Sequence, residues 1–194
     1  MYGSISGALT KKEIVTGKTV TALIGIFGFV LFTALGAYVY IPLRITPVPI
    51  TLQTFFVLSS GAILGRRLGS LSQVLYFALG ATGLPLFLSG SWGISHIFGP
   101  TGGYLLGFVA ASYIIGGILN RRDSTTAIVI ALIIGELVIL IFGAAWLWAG
   151  LHFSLKQAFY LGVLPFIPGD TLKLIAAVII CKRYLKRAKA LFYK

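Results

Sequence analysis

The chain has 194 residues, of which 58% are hydrophobic and only 10% are charged. Soluble domains carry about 25% charged residues, so the composition excludes a soluble domain and predicts a single all-α integral membrane domain over residues 1–194. The net charge of +12 would suit a nucleic-acid partner, but the basic residues lie between apolar stretches. We therefore expect no nucleic-acid binding.

Six apolar stretches follow a polar N-terminal segment at residues 1–17. A helix needs about 20 apolar residues to cross the hydrocarbon core, and only the second stretch, which ends at Gly65, is clearly short. We predict membrane spans at about 19–42, 52–65, 68–88, 99–119, 125–150 and 157–181, followed by a basic tail at 182–194.

The distribution of basic residues gives these six helices an orientation. With the N-terminus in the cytoplasm, the inside segments hold 13 of the 16 Lys and Arg residues, and the outside segments hold only Arg44 and Lys156. This asymmetry follows the positive-inside rule. Both termini are therefore expected in the cytoplasm of a multi-pass protein of the prokaryotic plasma membrane.

The stretch PFIPGDTLK, residues 165–173, places two ionisable residues inside a predicted span. Charges at bilayer depth cost roughly 2.5 to 3.5 kcal/mol on insertion scales, so they usually have a functional role. Asp170 and Lys173 are three residues apart and share one helix face. Pro165, Pro168 and Gly169 predict a helix break just before them, with Asp170 as a cap of the new helix. The pair can be a structural ion pair, but binding of a polar ligand near the external face is the favoured reading.

Two further polar side chains lie in or next to predicted spans. Glu136 lies in the middle of the fifth span, and either a bond to a neighbouring helix or a place in a ligand cavity suits it. Gln53 follows the proline-rich loop at 43–51, and it can contact a ligand or cap its helix.

The glycine-rich stretch GPTGGY, residues 99–104, lacks the Lys-Ser/Thr ending of a phosphate-binding loop. It predicts instead a helix start whose free N–H groups, at Thr101, Gly102 and Gly103, can bind an anion, with Tyr104 one turn into the helix. Trp92, in the loop 89–98, can anchor at the membrane interface or pack on a ligand ring.

Other chemistries find no support in the residues. The two histidines stand alone and the chain has one cysteine, so no metal site is expected. No serine has a credible histidine and acidic partner, so we expect no catalysis and no cofactor.

Four motifs in chain order resemble the BioY family, the biotin-specific substrate-binding subunits (S-components) of energy-coupling-factor transporters. They are TPVPITLQ at 46–53, GLPLF at 83–87, GPTGGYLLGF at 99–108 and FIPGDTLK at 166–173. The resemblance covers about 30–185. It implies the six-helix S-component fold and high-affinity capture of biotin near the external face, under the loop between the first two helices. It also implies a membrane coupling protein (the T-component) and two ATP-binding-cassette ATPases as partners.

The resemblance further implies a small-residue face on the first helix, near Ala34 and Ala37, where the coupling protein docks; ordinary internal packing is the alternative. The ureido ring of biotin would meet Asp170 and Lys173. Its carboxylate would meet Arg44, the N–H groups of Thr101, Gly102 and Gly103, or Lys173 itself. A self-sufficient secondary transporter for biotin or a related small carboxylate is the main alternative function, and an intramembrane enzyme using Asp170 or Glu136 is a third.

Overall fold

The computed structural model describes the backbone of residues 3–193 and the side chains of 17–193, and it is almost wholly helical. A two-residue β-hairpin, β1 (Tyr40–Ile41) and β2 (Ile50–Thr51), pairs antiparallel after the first helix. The helices are α1 (Gly3–Tyr38), α2 (Gln53–Ala81), α3 (Ile94–Ile97), α4 (Gly102–Arg121), α5 (Thr125–Ala145), α6 (Leu155–Gly162) and α7 (Ile167–Phe192).

Three helical segments in the described part of the chain are long and apolar enough to cross a membrane. They are Gly17–Tyr38, Gly102–Arg121 and Thr125–Gly150, the last being α5 with a π-helical turn at its end. The pair α6 and α7, bent by 51° at a short break, makes a fourth if it is one span. Of the predicted N-terminal segment, residues 1 and 2 lie outside the described residues, and α1 already begins at Gly3.

The helix α2 reverses direction at Gly65, the residue at which the second predicted span ends. Gly65 has φ +80° and ψ −178°, a conformation that favours glycine. Beyond it the chain folds back, so that Gln73 Nε2 donates to Ser60 Oγ at 3.2 Å and Gln53 Nε2 donates to Tyr76 OH at 2.6 Å. The two halves of α2 therefore form an antiparallel helical pair.

The helix α4 packs against this turn through Gly116. A Cβ atom at Gly116 would overlap backbone atoms of Gly65 and Arg66, whereas a Cβ at Gly117 would come no closer than 3.7 Å to the flexible Arg66 side chain. Glycine at 116 thus permits backbone contact between α4 and the α2 turn.

We predict that Gly116→Ala destabilises the protein by about 1–3 kcal/mol, because backbone atoms must move to admit the methyl group. The matched control is Gly117→Ala, one residue along the same helix, which should be neutral or slightly stabilising. Thermal unfolding of the purified variants in detergent measures both. Equal stability of the two variants would contradict the packing described here.

Several predicted boundaries are wrong by a few residues. The first span ends at Tyr38 rather than at Pro42, because the chain turns into the β-hairpin, where Leu52 N donates to the carbonyls of Gly36 and Val39. The third ends at Ala81 rather than near residue 88, just before Gly83 with its positive φ. The residues of the predicted basic tail continue α7 as far as Phe192.

The predicted break before Asp170 is present, but the capping role assigned to Asp170 is wrong. The helix α7 begins at Ile167, with Pro168 in its first turn, where the missing N–H of proline costs nothing. Asp170 is already inside the helix, and its backbone N–H donates to Phe166 O at 2.8 Å. Its carboxylate is therefore available for other partners.

Candidate functional site

A cavity lies where the start of α2, the start of α4, the middle of α5 and the start of α7 meet under the hairpin loop. Its wall combines apolar and polar side chains in about equal number. The lining residues are Val48, Pro49, Thr51, Gln53, Thr54, Thr101, Tyr104, Leu105, Phe108, Glu136, Ile139, Leu140, Phe166, Asp170 and Lys173.

Asp170 and Lys173 form a buried ion pair in this wall. Lys173 Nζ lies 2.7 Å from Asp170 Oδ1. The side chain of Lys173 is only 10% exposed and that of Asp170 only 6%. Lys173 also donates to Thr54 Oγ1 at 3.1 Å, which ties α7 to α2. The predicted face is thus present, with a charged donor and a charged acceptor side by side.

Glu136 reaches the same cavity from α5. Its side chain is buried, and neither carboxyl oxygen has a hydrogen-bond partner among the described residues. A buried polar group without a partner costs about 1–3 kcal/mol. The structure therefore brings Glu136 together with Asp170 in the cavity wall.

Gln53 lines the cavity as one member of a short polar chain. Its Nε2 donates to Tyr76 OH, and Tyr76 OH donates to Leu86 O at 3.0 Å. Its Oε1 accepts from Thr51 Oγ1 at 3.2 Å. The amide is held in place by the hairpin and by the second half of α2, which fixes its orientation in the cavity wall.

Tyr104 lines the cavity with its ring. Its hydroxyl donates to Gly162 O at 2.7 Å, and its ring packs edge-to-face on Phe166 with centroids 6.0 Å apart. The hydroxyl proton of Tyr104 is used in the hydrogen bond to α6, so Tyr104 offers the cavity its aromatic ring. Its contacts with Gly162 and Phe166 also stabilise the break before α7.

The hairpin loop covers the cavity, as the resemblance implies. Val48 and Pro49 lie in the lining, and Thr46 Oγ1 donates to Leu161 O at 2.7 Å, which fastens the loop to α6. Arg44 is exposed and lies outside the lining in this conformation.

The glycine-rich stretch contributes less than predicted. Thr101 lines the cavity, but Gly102 and Gly103 do not. The N–H of Gly102 donates to Gly99 O at 3.1 Å, and a Cβ at Gly103 would overlap Trp146. These two glycines serve the close packing of α4 on its neighbours.

Three other predicted positions lie away from the cavity. Trp92 is 60% exposed and does not line the cavity. Ala34 and Ala37 are 4% and 0% exposed, because this side of α1 faces the chain's own interior. The structure thus supports the internal-packing alternative for these alanines and does not place them on a surface.

Sequence reasoning missed several wall residues. Thr54, Phe108 and Ile139 are ordinary helix residues, and Phe166 directly precedes α7. Only their position relative to the ion pair distinguishes them. Of these residues, only Thr54 had a signal in the sequence, because it directly follows the candidate Gln53. Among the described residues no group of three His, Cys, Asp or Glu side chains is arranged to hold a metal ion.

Comparisons with known proteins confirm the resemblance drawn from the four motifs. The sequence profile of the BioY family matches residues 9–190. The chain is 44% identical to the probable biotin transporter BioY of Pyrococcus horikoshii, over 80% of this chain and 90% of that protein. It is 38% identical to the biotin transporter BioY of Thermotoga maritima, over 80% and 92% of the two chains.

The fold also has a relative among solved structures. The S-component for biotin from an ECF-type ABC transporter superposes with a TM-score of 0.83 at 27% sequence identity, covering 92% of this chain and 98% of that one.

Proposed function

Because the chain belongs to the BioY family, we propose that it is the biotin-binding membrane subunit of an energy-coupling-factor uptake transporter. The observation that carries this proposal is the cavity, in which Asp170, Lys173 and Glu136 lie close to a set of apolar side chains.

The chemistry of the cavity matches that of biotin. The ureido ring has two N–H donors and one strong acceptor oxygen, and the polar wall offers carboxyl acceptors beside an ammonium donor. The thiophane ring and the valeryl chain are apolar and suit Val48, Leu140 and Phe166. Burial of this surface supplies affinity, while the few polar groups fix the orientation.

We place the carboxylate of biotin toward the hairpin loop, at the covered end of the cavity. The ureido ring takes Asp170 and Lys173, and the N–H of Gly102 is used within the chain. Arg44 is the cation of this loop, and its exposed side chain turns toward the carboxylate when biotin binds.

The proposed assembly has six spans and cytoplasmic termini. The spans are α1, the two halves of α2, α4, α5 and the bent pair of α6 and α7. A membrane coupling protein and two ATP-binding-cassette ATPases complete the transporter. Biotin binds from outside, the subunit topples in the membrane, and ATP hydrolysis by the partners drives release. This chain binds the substrate and performs no catalysis.

Uptake of labelled biotin into vesicles tests the proposal. Vesicles with this chain alone should bind biotin but not accumulate it, whereas vesicles that also contain the coupling protein and the ATPases should accumulate it when ATP is present. Accumulation by the chain alone, driven by an ion gradient, would instead establish the secondary transporter. Absence of biotin binding by the folded chain would exclude both the transporter subunit and the secondary transporter.

A further inference from the structure

His96 lies next to the cavity and connects two hydroxyl groups. Its Nδ1 lies 3.0 Å from Ser91 Oγ, and its Nε2 lies 3.1 Å from Thr101 Oγ1. The ring is half-buried and stacks on Phe87, with centroids 5.0 Å apart and planes 17° apart. Both ring nitrogens are thus engaged, and the second of them reaches a residue of the cavity wall.

The direction of these hydrogen bonds follows from Ser91. Its hydroxyl donates to Leu88 O at 2.7 Å, so its only proton is used. Ser91 Oγ must therefore accept from His96, which places the ring proton on Nδ1. In the neutral ring Nε2 is then a bare acceptor, and Thr101 Oγ1–H donates to it.

The consequence appears in the cavity, where Thr101 is part of the wall. With its proton used on His96, Thr101 can offer only lone pairs to a ligand. When His96 is protonated, both of its nitrogens are donors, so Thr101 Oγ1 must accept from Nε2 and its own proton turns away from the ring. Neutral His96 thus restricts Thr101 to accepting from a ligand, whereas protonated His96 occupies one lone pair of Thr101 Oγ1 and frees its proton.

We infer that His96 is a specificity-determining positioning residue, which holds the Thr101 hydroxyl as an acceptor for an N–H donor of the ligand. This inference rests on the proposed function, in which the ligand is biotin and the donor is a ureido N–H group. Neutral His96 also disfavours a ligand carboxylate at Thr101, since the carboxylate oxygen and Thr101 Oγ1 would both be acceptors.

The surroundings of His96 keep it neutral near pH 7. Burial lowers the pKa of its imidazole below the ordinary value. The groups in contact with the ring are Phe87, Ser91 and Thr101, and none of them is charged. The ionisable groups that share the cavity with Thr101 are Tyr104, Glu136, Asp170 and Lys173.

The test is the dissociation constant for biotin of the full chain in detergent, measured from pH 5 to 8. Because biotin binds the form with neutral His96, affinity should be constant at higher pH and should fall as pH falls through the His96 pKa. The expected fall is about two- to tenfold, which corresponds to the loss of one hydrogen bond. Glutamine does not titrate, so the His96→Gln variant should lack this pH-dependent step in affinity.

Two variants at Thr101 separate His96 from the cavity carboxyls, which also titrate. Thr101→Ser keeps the hydroxyl and should keep the pH step. Thr101→Val should lower affinity at pH 7.5 and abolish the step while leaving the unfolding temperature nearly unchanged. A step that persists in Thr101→Val, or a parent chain whose affinity shows no step, would overturn the role of His96 and leave biotin binding intact. A folded parent chain that binds no biotin at any pH would overturn the proposed function and this inference together.

Discussion

Replacement of Lys173 by Met should lower affinity for biotin at least tenfold and destabilise the protein, because it leaves the Asp170 carboxylate without its ammonium partner in a nearly buried site. Lys173 and Asp170 are 10% and 6% exposed. Removal of one member of a buried ion pair typically costs 3–5 kcal/mol. Loss of a charged hydrogen bond to the ligand costs about 1.5–3 kcal/mol, which lowers affinity at least tenfold. Asp170→Asn should lower affinity by a similar factor.

The double variant Asp170→Asn/Lys173→Met separates the two effects. It leaves no unpaired charge, so its unfolding temperature should return most of the way to that of the parent chain. Its affinity should stay as low as that of the single variants. Lys156→Met is the control, since Lys156 is exposed and lies outside the cavity; neither its stability nor its affinity should change. Biotin titration and thermal unfolding in detergent measure all four chains.

The outcome decides between the two roles that the sequence left open for this pair. A double variant that is stable and binds biotin tightly would show that Asp170 and Lys173 form a structural ion pair. A stable double variant that does not bind would place the ligand at the pair.

The parts of this site that could be predicted from the sequence are those with a local signal. Asp170 and Lys173 stand out because charges are costly in an apolar span, and their spacing puts them on one face. Gly65 stands out because two arginines follow it directly. The proline-rich loop could be recognised as stiff, and the structure shows it fastened over the cavity by Thr46.

The parts that could not be predicted depend on contacts between distant segments. Thr54 meets Lys173 across 119 residues, and Gln53 meets Tyr76 only because the chain reverses at Gly65. The sequence does not indicate where α7 ends either, since a basic amphipathic stretch is compatible with an irregular tail and with a continued helix. The Asp170 cap was wrong because proline is accepted in the first turn, so that the helix starts earlier than Pro168 suggests.

Glu136→Leu should have opposite effects on stability and on binding. Both oxygens of the Glu136 carboxyl are buried without a hydrogen-bond partner among the described residues. Their replacement by an apolar group should raise the free energy of unfolding of the ligand-free protein by about 1–3 kcal/mol. The same change removes an acceptor from the cavity wall, so affinity for biotin should fall at least tenfold. Glu136→Gln keeps one acceptor oxygen and should lose less affinity.

Ser59 provides the matched control for this experiment. Its hydroxyl is also buried without a partner among the described residues, but it lies outside the cavity. Ser59→Ala should therefore stabilise the protein slightly and leave affinity unchanged. If Glu136→Leu destabilises the protein, its carboxyl has a structural partner; if it binds biotin as tightly as the parent chain, Glu136 does not contact the ligand. If stability rises while affinity falls, the unsatisfied carboxyl is present for the ligand, and bound biotin supplies the hydrogen bonds that the ligand-free protein lacks.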